Sequence, residues 1–266
     1  MAVEGISRYF RLWKHIANPG EYMFRKGERH DRDLIFITRP FPIRFHVSRS
    51  VYALFKELFM EDVYEIDSLV HDLPATPVVI DIGANVGFFD IQLLSKIKNA
   101  TIYAYEPIPA NVKMLQNTLQ QNPRLGQSIR LFAMAVTGLP LNKLELFAEA
   151  DETSQVVASV ISGFHENNSR KITVPCVTLT DIIQKNDLQA IDFLKMDCEG
   201  SEYDIMYNTA PALIQRIKKM MIEVHDLDKD RNNINVFNRY VQELGYKTSY
   251  SPINSFCYAL EATRQG

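Results

Sequence analysis

An acidic residue and two glycines share one short stretch of the sequence, VVIDIGANVGFFDIQLL (78–94). A run of β-branched apolar residues ends at Asp81, and Gly83 and Gly87 enclose the turn that follows it. A helix-spaced apolar segment then begins at Phe88. Glycine lets a backbone approach a ligand without a Cβ in the way, and the N–H groups that open a helix attract a carboxylate or phosphate. Because ligands of open parallel sheets bind at the carboxyl ends of strands, this turn predicts a ligand site.

The ligand predicted for this turn is not a dinucleotide. The dinucleotide fingerprint is G-x-G-x-x-G, whereas the third position here is Asn85 and the second glycine is at position 5. Asp81 would also repel a pyrophosphate. Glu106 ends the next strand-like segment, 23 residues after Gly83, where a carboxylate can accept both hydroxyls of a ribose. S-adenosylmethionine (SAM) has both an ammonium group, which Asp81 could accept, and a ribose, which Glu106 could hold. Together these residues favour a SAM-binding turn over a plain strand–helix turn that binds no ligand.

Two later strand-like segments, IDFLKMDCEG and MMIEVH, end in titratable side chains. Alternate residues of a strand share a face, so Lys195, Asp197 and Glu199 are expected on one side of the first segment. Glu223 and His225 share a side of the second, and all these groups would converge at one edge of the sheet. Methyl transfer to a hydroxyl requires alignment of the reactants and removal of a proton. His225 is the candidate base because its ordinary pKa is roughly 6.5, and Asp197, Glu199 and Glu223 are further catalytic candidates.

The same side chains allow two other interpretations. Asp197 and Glu223, joined by Glu199 or His225, could hold Mg²⁺, which would lower the pKa of the acceptor hydroxyl. Alternatively, Glu199 only caps the helix that follows. Cys198, on the opposite face of the strand, is expected to be a small core residue.

Strand-like and helix-like segments alternate from Pro77 onward, which predicts an α/β fold with a mostly parallel sheet and helices on both faces. The expected core strands are 78–83, 101–107, 129–136, 191–197 and 218–225, followed by a hairpin of 246–250 and 256–262. The expected helices are 88–97, 110–122 and 236–245. Shorter strand-like segments at 144–150 and 171–179 predict a β-rich insertion.

Residues 1–76 do not follow this alternation and are expected to form an α+β extension packed on the core domain, 77–266. They are predicted to contain a hairpin around 39–42 and a helix at 50–62. An apolar stripe of Phe10, Trp13 and Ile16, accompanied by Arg8, Arg11 and Lys14, could form an interfacial helix. Docking of this stripe on its own domain is the preferred interpretation.

Composition and charge limit the class of protein. The chain has 266 residues, of which 46% are apolar, enough for a full core. Residues 1–50 contain 10 Lys+Arg and 5 Asp+Glu, which gives a net charge of +5. Residues 51–266 contain 19 Lys+Arg and 27 Asp+Glu, which gives a net charge of −8. Three widely spaced cysteines form no metal-type pair and predict a reducing compartment, here the cytoplasm. No apolar run approaches the roughly 20 residues that a membrane span needs.

Six segments taken in order resemble the FkbM family of SAM-dependent methyltransferases, and the similarity runs from about Asp62 to the end of the chain. The segments are VVIDIGANVGFFDIQLL, AYEPIPANVKMLQNTL, FAMAVTG, VPCVTLTDII, IDFLKMDCEGSEYDIM and MMIEVH. The resemblance implies a class I (Rossmann-like) methyltransferase fold with a seven-stranded sheet whose last strand is antiparallel. It also implies methyl transfer to an oxygen, commonly on a sugar or polyketide.

The resemblance also implies roles for individual residues. Asn111 follows the ribose-binding turn, Ala135 ends the third strand near the adenine, and Tyr64 is expected to cover the cofactor. The complete set of expected cofactor-binding residues is Tyr64, Asp81, Gly83, Ala84, Asn85, Gly87, Phe88, Glu106, Pro107, Asn111, Ala135 and Asp197.

The function expected from the sequence is O-methylation of a small molecule or saccharide, as in natural-product or glycan biosynthesis. One alternative is methylation of a protein or nucleic acid. Nucleic acid is disfavoured because the segment 197–200 contains no proline or aromatic residue to stack on a base, and because the net charge is −3. Another alternative, a non-catalytic SAM-binding module, would be expected to have a degenerate turn. The sequence indicates neither the acceptor nor the oligomeric state.

Overall fold

The computed structural model describes residues 5–25, 33–148, 158–159 and 170–265. Its helices are α1 Ser7–His15, α2 Gly20–Arg25, α3 Tyr52–Lys56, α4 Ile66–Asp72, α5 Phe88–Leu94, α6 Pro109–Gln121, α7 Leu179–Lys185, α8 Glu202–Asn208, α9 Pro211–Ile214 and α10 Ile234–Glu243. Its strands are β1 Leu34–Ile37, β2 Arg44–Val47, β3 Val78–Ile82, β4 Thr101–Tyr105, β5 Ile129–Phe132, β6 Ala135–Thr137, β7 Lys143–Ala148, β8 Ala158–Ser159, β9 Arg170–Thr178, β10 Ile191–Met196, β11 Ile217–His225, β12 Tyr246–Pro252 and β13 Cys257–Arg264.

The central sheet has seven strands in the order β12-β13-β11-β10-β3-β4-β5. Strands β11, β10, β3, β4 and β5 run parallel, whereas β13 is antiparallel to both β11 and β12. All six residues of β10 are buried, as expected for a central parallel strand covered by helices on both faces. The strand order and the antiparallel last strand confirm the predicted class I methyltransferase fold.

The segment predicted as one third strand, 129–136, divides between two sheets. β5 ends at Phe132, whose carbonyl accepts a hydrogen bond from the N–H of Met134 at 2.9 Å, and the chain turns there. β6 then joins a second sheet of order β6-β9-β7-β8, which contains the predicted β-rich insertion. The prediction of one strand was wrong because the apolar run continues through the turn. The rest of the insertion, 149–157 and 160–169, lies outside the described residues.

The extension packs on the core through aromatic rings. β1 and β2 form the expected antiparallel hairpin, and a wider π-type turn, Glu57–Glu61, continues α3. The ring of Phe45 lies 5.1 Å from that of Phe59 and 5.4 Å from that of Phe88, the first residue of α5. Phe45 and Phe59 are fully buried, so the extension and α5 share one hydrophobic core.

The N-terminal helix is only partly docked on the domain. Ile16 is fully buried, but Phe10 and Trp13 are 72% and 58% exposed. The preferred prediction, docking of the whole stripe, was therefore wrong for these two aromatic residues, because α1 turns that face to the solvent. Within the described residues, no helix combines the length and apolar character needed to cross a bilayer.

Candidate active site

A cavity of about 610 Å³, its open mouth included, lies at the carboxyl ends of β3, β4 and β10. This is the edge of a parallel sheet where ligands bind. It has an apolar flank from the second sheet and a polar floor from the strand-end turns. The lining residues are Ile82, Gly83, Asn85, Tyr105, Glu106, Pro107, Ile108, Asn111, Met134, Ala135, Val136, Leu144, Leu146, Asp197, Cys198, Glu199 and Ser201.

Glu106 lines this cavity, and hydrogen bonds fix the orientation of its carboxylate. The backbone N–H groups of Asn85 and Ile108 each donate to it at 2.8 Å, and the amide of Asn111 donates at 3.3 Å. Burial raises the pKa of Glu106 to about 7, although these hydrogen bonds oppose the rise. A carboxylate offers about four acceptor positions, so three donors leave capacity for a ligand hydroxyl. Glu106 and Asn111 thus both line the cavity, and their contact with a ribose stays a prediction.

Gly83 allows two strand-end turns to approach each other. Its φ is +79°, and a Cβ built on it would lie 1.8 Å from the backbone oxygen of Asp197. Gly87 has the same φ, but a Cβ there would meet the side chain of Leu115 at 2.4 Å. Gly83 therefore shapes the cavity floor as predicted, whereas Gly87 serves the packing of α5 on α6 and does not line the cavity.

Asp81 lies behind the cavity and does not line it. Its side chain is fully buried, and its Oδ1 lies 3.1 Å from the Nζ of Lys195. Lys195 also donates to the carbonyl of Gly83 at 2.6 Å. Burial on β3 pairs Asp81 with Lys195, so the contact of Asp81 with a ligand ammonium stays a prediction. Asp81 supports the lysine that holds the glycine turn.

Three further predicted residues belong to the core. Tyr64 is 7% exposed, and its ring packs edge-on against that of Phe89 at 5.1 Å. Phe88 joins the aromatic cluster of the extension, and Ala84 is buried beside it in the same core. None of them lines the cavity, since Phe88 and Ala84 pack in the core shared with the extension, and Tyr64, a residue of the extension itself, packs on Phe89. Ala135 and Pro107 do line it, although Ala135 begins β6 instead of ending the third strand.

His225, at the end of β11, connects two glutamates on the reacting side of the site. Its Nδ1 lies 3.1 Å from Oε1 of Glu202, and its Nε2 lies 3.4 Å from Oε2 of Glu199. Glu202 is fully buried and also accepts the backbone N–H groups of His225 at 2.8 Å and Gly200 at 2.9 Å. The sequence argument missed Glu202 because it considered strand faces, and this residue opens α8.

Cys198 was expected in the core but is only half-buried and lines the cavity. β10 ends at Met196, so the alternation of strand faces no longer applies two residues later. Glu199 and Gly200 continue the departure from the strand, with φ values of +52° and +103°. As a result, Asp197, Cys198 and Glu199 all line the cavity.

A family profile described as the Methyltransferase FkbM domain matches residues 81–248. This range contains the glycine turn, Glu106, Asp197, Glu199 and His225. The chain belongs to the FkbM methyltransferase family. It is therefore a SAM-dependent methyltransferase, as the sequence resemblance predicted.

Named relatives of this FkbM methyltransferase are distant. It is 25% identical over 214 residues to the 31-O-demethyl-FK506 methyltransferase FkbM of Streptomyces tacrolimicus, covering 66% of this chain and 75% of that protein. It is 22% identical over 204 residues to the AMB antimetabolite synthetase AmbE of Pseudomonas aeruginosa, covering 65% of this chain but only 9% of the synthetase. The solved structure of an FkbM methyltransferase from Methylobacillus flagellatus is 14% identical, with a TM-score of 0.48, covering 80% of this chain and 60% of that one.

The ends of β10 and β11 in this FkbM methyltransferase carry carboxylates whose pKa values are raised. Burial, and then the charge of Asp197, raises the pKa of Glu199 to about 8. The same two causes raise the pKa of Glu223 well above its ordinary value. Burial alone lowers the pKa of His225, but hydrogen bonds to Cys257 and Glu202 outweigh it and raise this pKa to about 11. The titratable groups thus converge as the strand pattern predicted.

The magnesium site predicted at Asp197 and Glu223 has no support in the geometry. Among the described residues, one group able to share an ion consists of Glu223, His225 and Cys257, with ligand atoms within 4.8 Å of one another. Asp197 does not belong to it. A thiol and an imidazole are not ligands that Mg²⁺ prefers, so the donor set does not fit this ion.

Proposed function

We propose that this enzyme transfers a methyl group from SAM to a hydroxyl of a small molecule or saccharide. The observation that carries the proposal is one cavity lined at one end by Glu106, a carboxylate held by backbone donors, and at the other by titratable groups. Asp197 and Glu199 form that second end, and the glycine turn at Gly83 lies between.

The residues present fit SAM. The carboxylate of Glu106, oriented by backbone donors, would accept the ribose hydroxyls. The apolar side chains of Met134 and Val136 would cover the base. The methionine part would lie along Gly83 and Asp197. When bound, SAM supplies a methyl group that is already activated for displacement.

We assign removal of the acceptor proton to Glu199. A general base works best when its pKa lies near the working pH, and the pKa of Glu199 is raised to about 8. His225 was the base candidate from the sequence, but its pKa of about 11 keeps it protonated at neutral pH. A protonated His225, oriented by Glu202, would instead hold the carboxylate of Glu199 in position through the 3.4 Å contact.

The choice of a hydroxyl acceptor draws support from a relative. The Streptomyces protein is named as a 31-O-demethyl-FK506 methyltransferase, a name that describes methylation of an oxygen. The turn Asp197–Cys198–Glu199 of this chain places carboxylates beside the cavity, whose aromatic lining residue, Tyr105, is already stacked on Phe132 with ring centroids 4.8 Å apart. Carboxylates suit a hydroxyl, whereas a flipped base requires stacking.

The test uses purified enzyme, SAM labelled in its methyl group, and acceptors in matched pairs. Each hydroxylated saccharide or macrolide is compared with its O-methylated counterpart, and an RNA and a peptide pool are included. We expect S-adenosylhomocysteine to form with a free hydroxyl acceptor and not with its blocked partner. Label found on nitrogen of RNA or peptide, with none on any hydroxyl, would overturn the proposal.

A variant separates chemistry from cofactor binding. Glu199→Gln keeps the size of the side chain but cannot take a proton, so turnover should fall at least about a hundredfold while SAM still binds. Glu145→Gln, a substitution of an exposed residue outside the cavity, is the matched control and should keep wild-type turnover. Wild-type turnover by Glu199→Gln would remove this residue from the mechanism.

A further inference from the structure

Asp90 is a fully buried acidic residue in the first turn of α5, and it does not line the cavity. Among the described residues, no N–H or O–H group donates a hydrogen bond to either of its oxygens. An ionised carboxylate can only accept hydrogen bonds, so ionised Asp90 would lose its hydration without gaining a donor. A neutral carboxyl group, which has a proton to donate, avoids this cost.

The group that accepts this proton is Asp81 on β3. The side chains of Asp81 and Asp90 hydrogen-bond each other. Two carboxylates offer acceptors only, so a hydrogen bond between them requires a proton on one of the two. Two carboxyl groups that share a site also resist ionising together, because their like charges repel. The pair therefore holds one proton.

Lys195 on β10 decides which of the two carboxyl groups keeps the proton. Its Nζ lies 3.1 Å from Oδ1 of Asp81, and the two residues are direct partners in the parallel register of β10 and β3. An adjacent ammonium favours the ionised form of a carboxyl group, so Asp81 is the ionised member and Asp90 keeps the proton. The buried charges of Asp81 and Lys195 then balance.

The pKa values agree with this distribution of charge. Burial, and then the charge of Asp81, raises the pKa of Asp90 well above its ordinary value. Burial also raises the pKa of Asp81, but Lys195 and the hydrogen bond from Asp90 oppose that rise. Burial lowers the pKa of Lys195, yet the opposing effects, of which the charge of Asp81 is the largest, raise it overall.

Lys195 connects this buried pair to the floor of the cavity. Its Nζ donates to the carbonyl of Gly83 at 2.6 Å and lies 4.0 Å from Oδ2 of Asp197. Gly83 and Asp197 line the cavity, whereas Lys195 lies behind it and is itself buried. The position of the cavity floor therefore depends on where Asp81 holds the lysine.

We infer that Asp90 is a positioning residue for SAM. It shares its proton with Asp81, and the pair holds Lys195 against the carbonyl of Gly83 and beside Asp197. The inference rests on the proposal that this cavity binds SAM. It gives Asp90 no contact with the cofactor and no part in removing the acceptor proton.

Two substitutions separate this role from packing alone. Asp90→Asn keeps the shape and provides an amide N–H for Asp81, so SAM affinity should stay within about threefold of the wild type. Asp90→Leu keeps the branched shape without a donor, so the carboxylate of Asp81 draws Lys195 away from Gly83. SAM binding should then weaken at least about tenfold. Calorimetric titration measures the affinity, and thermal unfolding shows whether each variant folds.

Asp192→Leu is the matched control. Asp192 is a buried acidic residue near the start of β10 and does not line the cavity. Its carboxylate accepts the backbone N–H of Val78 at 2.8 Å and the ammonium of Lys218 at 2.7 Å. This substitution should lower the melting temperature but leave SAM affinity at the wild-type level, so it shows what loss of stability alone does.

An infrared measurement decides the position of the proton even where Asp90→Leu does not fold. The spectrum of the wild type minus that of Asp90→Asn, recorded at neutral pH without SAM, should contain the C=O stretch of a protonated carboxyl group. Absence of this band would overturn the inference. Equal SAM affinities of folded Asp90→Asn and Asp90→Leu would also overturn it, whether both match the wild type or both are weakened.

Failure of the proposed function gives a different result. In that case the wild type itself binds no SAM, and the role of Asp90 falls together with the assignment of the cavity. If the wild type binds SAM and the two Asp90 variants do not differ, only the role of Asp90 falls.

Discussion

Burial and neighbouring charge decide which side chain on the acceptor side can take a proton. Glu199 contacts His225 and feels the charge of Asp197, and its pKa rises to about 8. His225 contacts the buried Glu202, and its pKa rises to about 11. At neutral pH the imidazole therefore keeps its proton, and the carboxyl group lies close to the point at which it changes charge.

This assignment predicts the dependence of turnover on pH. Only ionised Glu199 can accept a proton, so kcat should rise about tenfold per pH unit at low pH and level off above about 8. In His225→Gln the positive charge that lowers the pKa of Glu199 is lost, so the profile should move to higher pH. The measurement is kcat against pH for both proteins. A profile that follows a group of pKa near 6.5 would return the base role to His225.

Gly83 is the residue whose substitution we expect to be least tolerated in the turn. Gly83→Ala places a Cβ 1.8 Å from the backbone oxygen of Asp197 at a φ of +79°, so one of the two turns must move. We expect a loss of roughly 3 kcal/mol in the free energy of unfolding, together with loss of SAM binding. Urea denaturation provides the measurement. Gly126→Ala is the matched control, because no atom lies within 4 Å of its built Cβ. Equal stability of both variants would contradict the close approach.

The sequence placed Glu106, Gly83 and Asp197 at or just after the ends of strands, where periodicity and strand order determine position, and all three line the cavity. The pairing of Asp81 with Lys195 could not be read from the sequence, because the type of an acidic residue does not show whether its side chain meets a ligand or a buried lysine. Glu202 could not be found from strand faces, since its contact with His225 depends on how α8 packs against β11.

At the scale of secondary-structure elements, the extension acts as part of the core. β2, α3 and the turn Glu57–Glu61 contribute Phe45, Phe55 and Phe59 to one aromatic cluster with Phe88 of α5. α5 directly follows the glycine turn. The extension therefore stabilises the helix whose first turn adjoins the cavity.

Truncation of one ring tests this packing. Phe45→Ala should lower the free energy of unfolding by roughly 3–5 kcal/mol, because a fully buried ring leaves a cavity between the hairpin and α5. Phe10→Ala removes an exposed ring and should change the free energy of unfolding by no more than roughly 0.5 kcal/mol. Guanidinium denaturation monitored by circular dichroism compares the two. Two separate transitions, with only the first shifted by Phe45→Ala, would show that the extension folds apart from the core.

The strands and helices themselves were largely predictable from the sequence. The sheet that each strand joins, and the surface that each helix contacts, were less predictable. Alternation of buried strands and amphipathic helices gave β3, β4, β10, β11 and the helices between them. The break between β5 and β6 was not visible, because an apolar run looks the same in one sheet or two. The exposure of Phe10 and Trp13 was also missed, since helical spacing shows which residues share a face but not what that face contacts.

The whole molecule combines two surfaces of different chemistry. The cavity at the sheet edge is bordered by carboxylates, in the part of the chain that carries a net charge of −8, whereas the exposed apolar side chains Ile6, Phe10 and Trp13 lie in residues 1–50, whose sequence carries a net charge of +5.

The most direct test of the central claim is a calorimetric titration of SAM into the wild-type protein and the Glu106→Ala variant, with NADH as a control ligand. We predict that the wild type binds one SAM and no NADH. Glu106→Ala should bind SAM at least about tenfold more weakly, since hydrogen bonds to a charged acceptor are lost, while Glu145→Ala should match the wild type. Undiminished SAM binding by a folded Glu106→Ala variant, or binding of NADH, would contradict the assignment of this cavity to SAM.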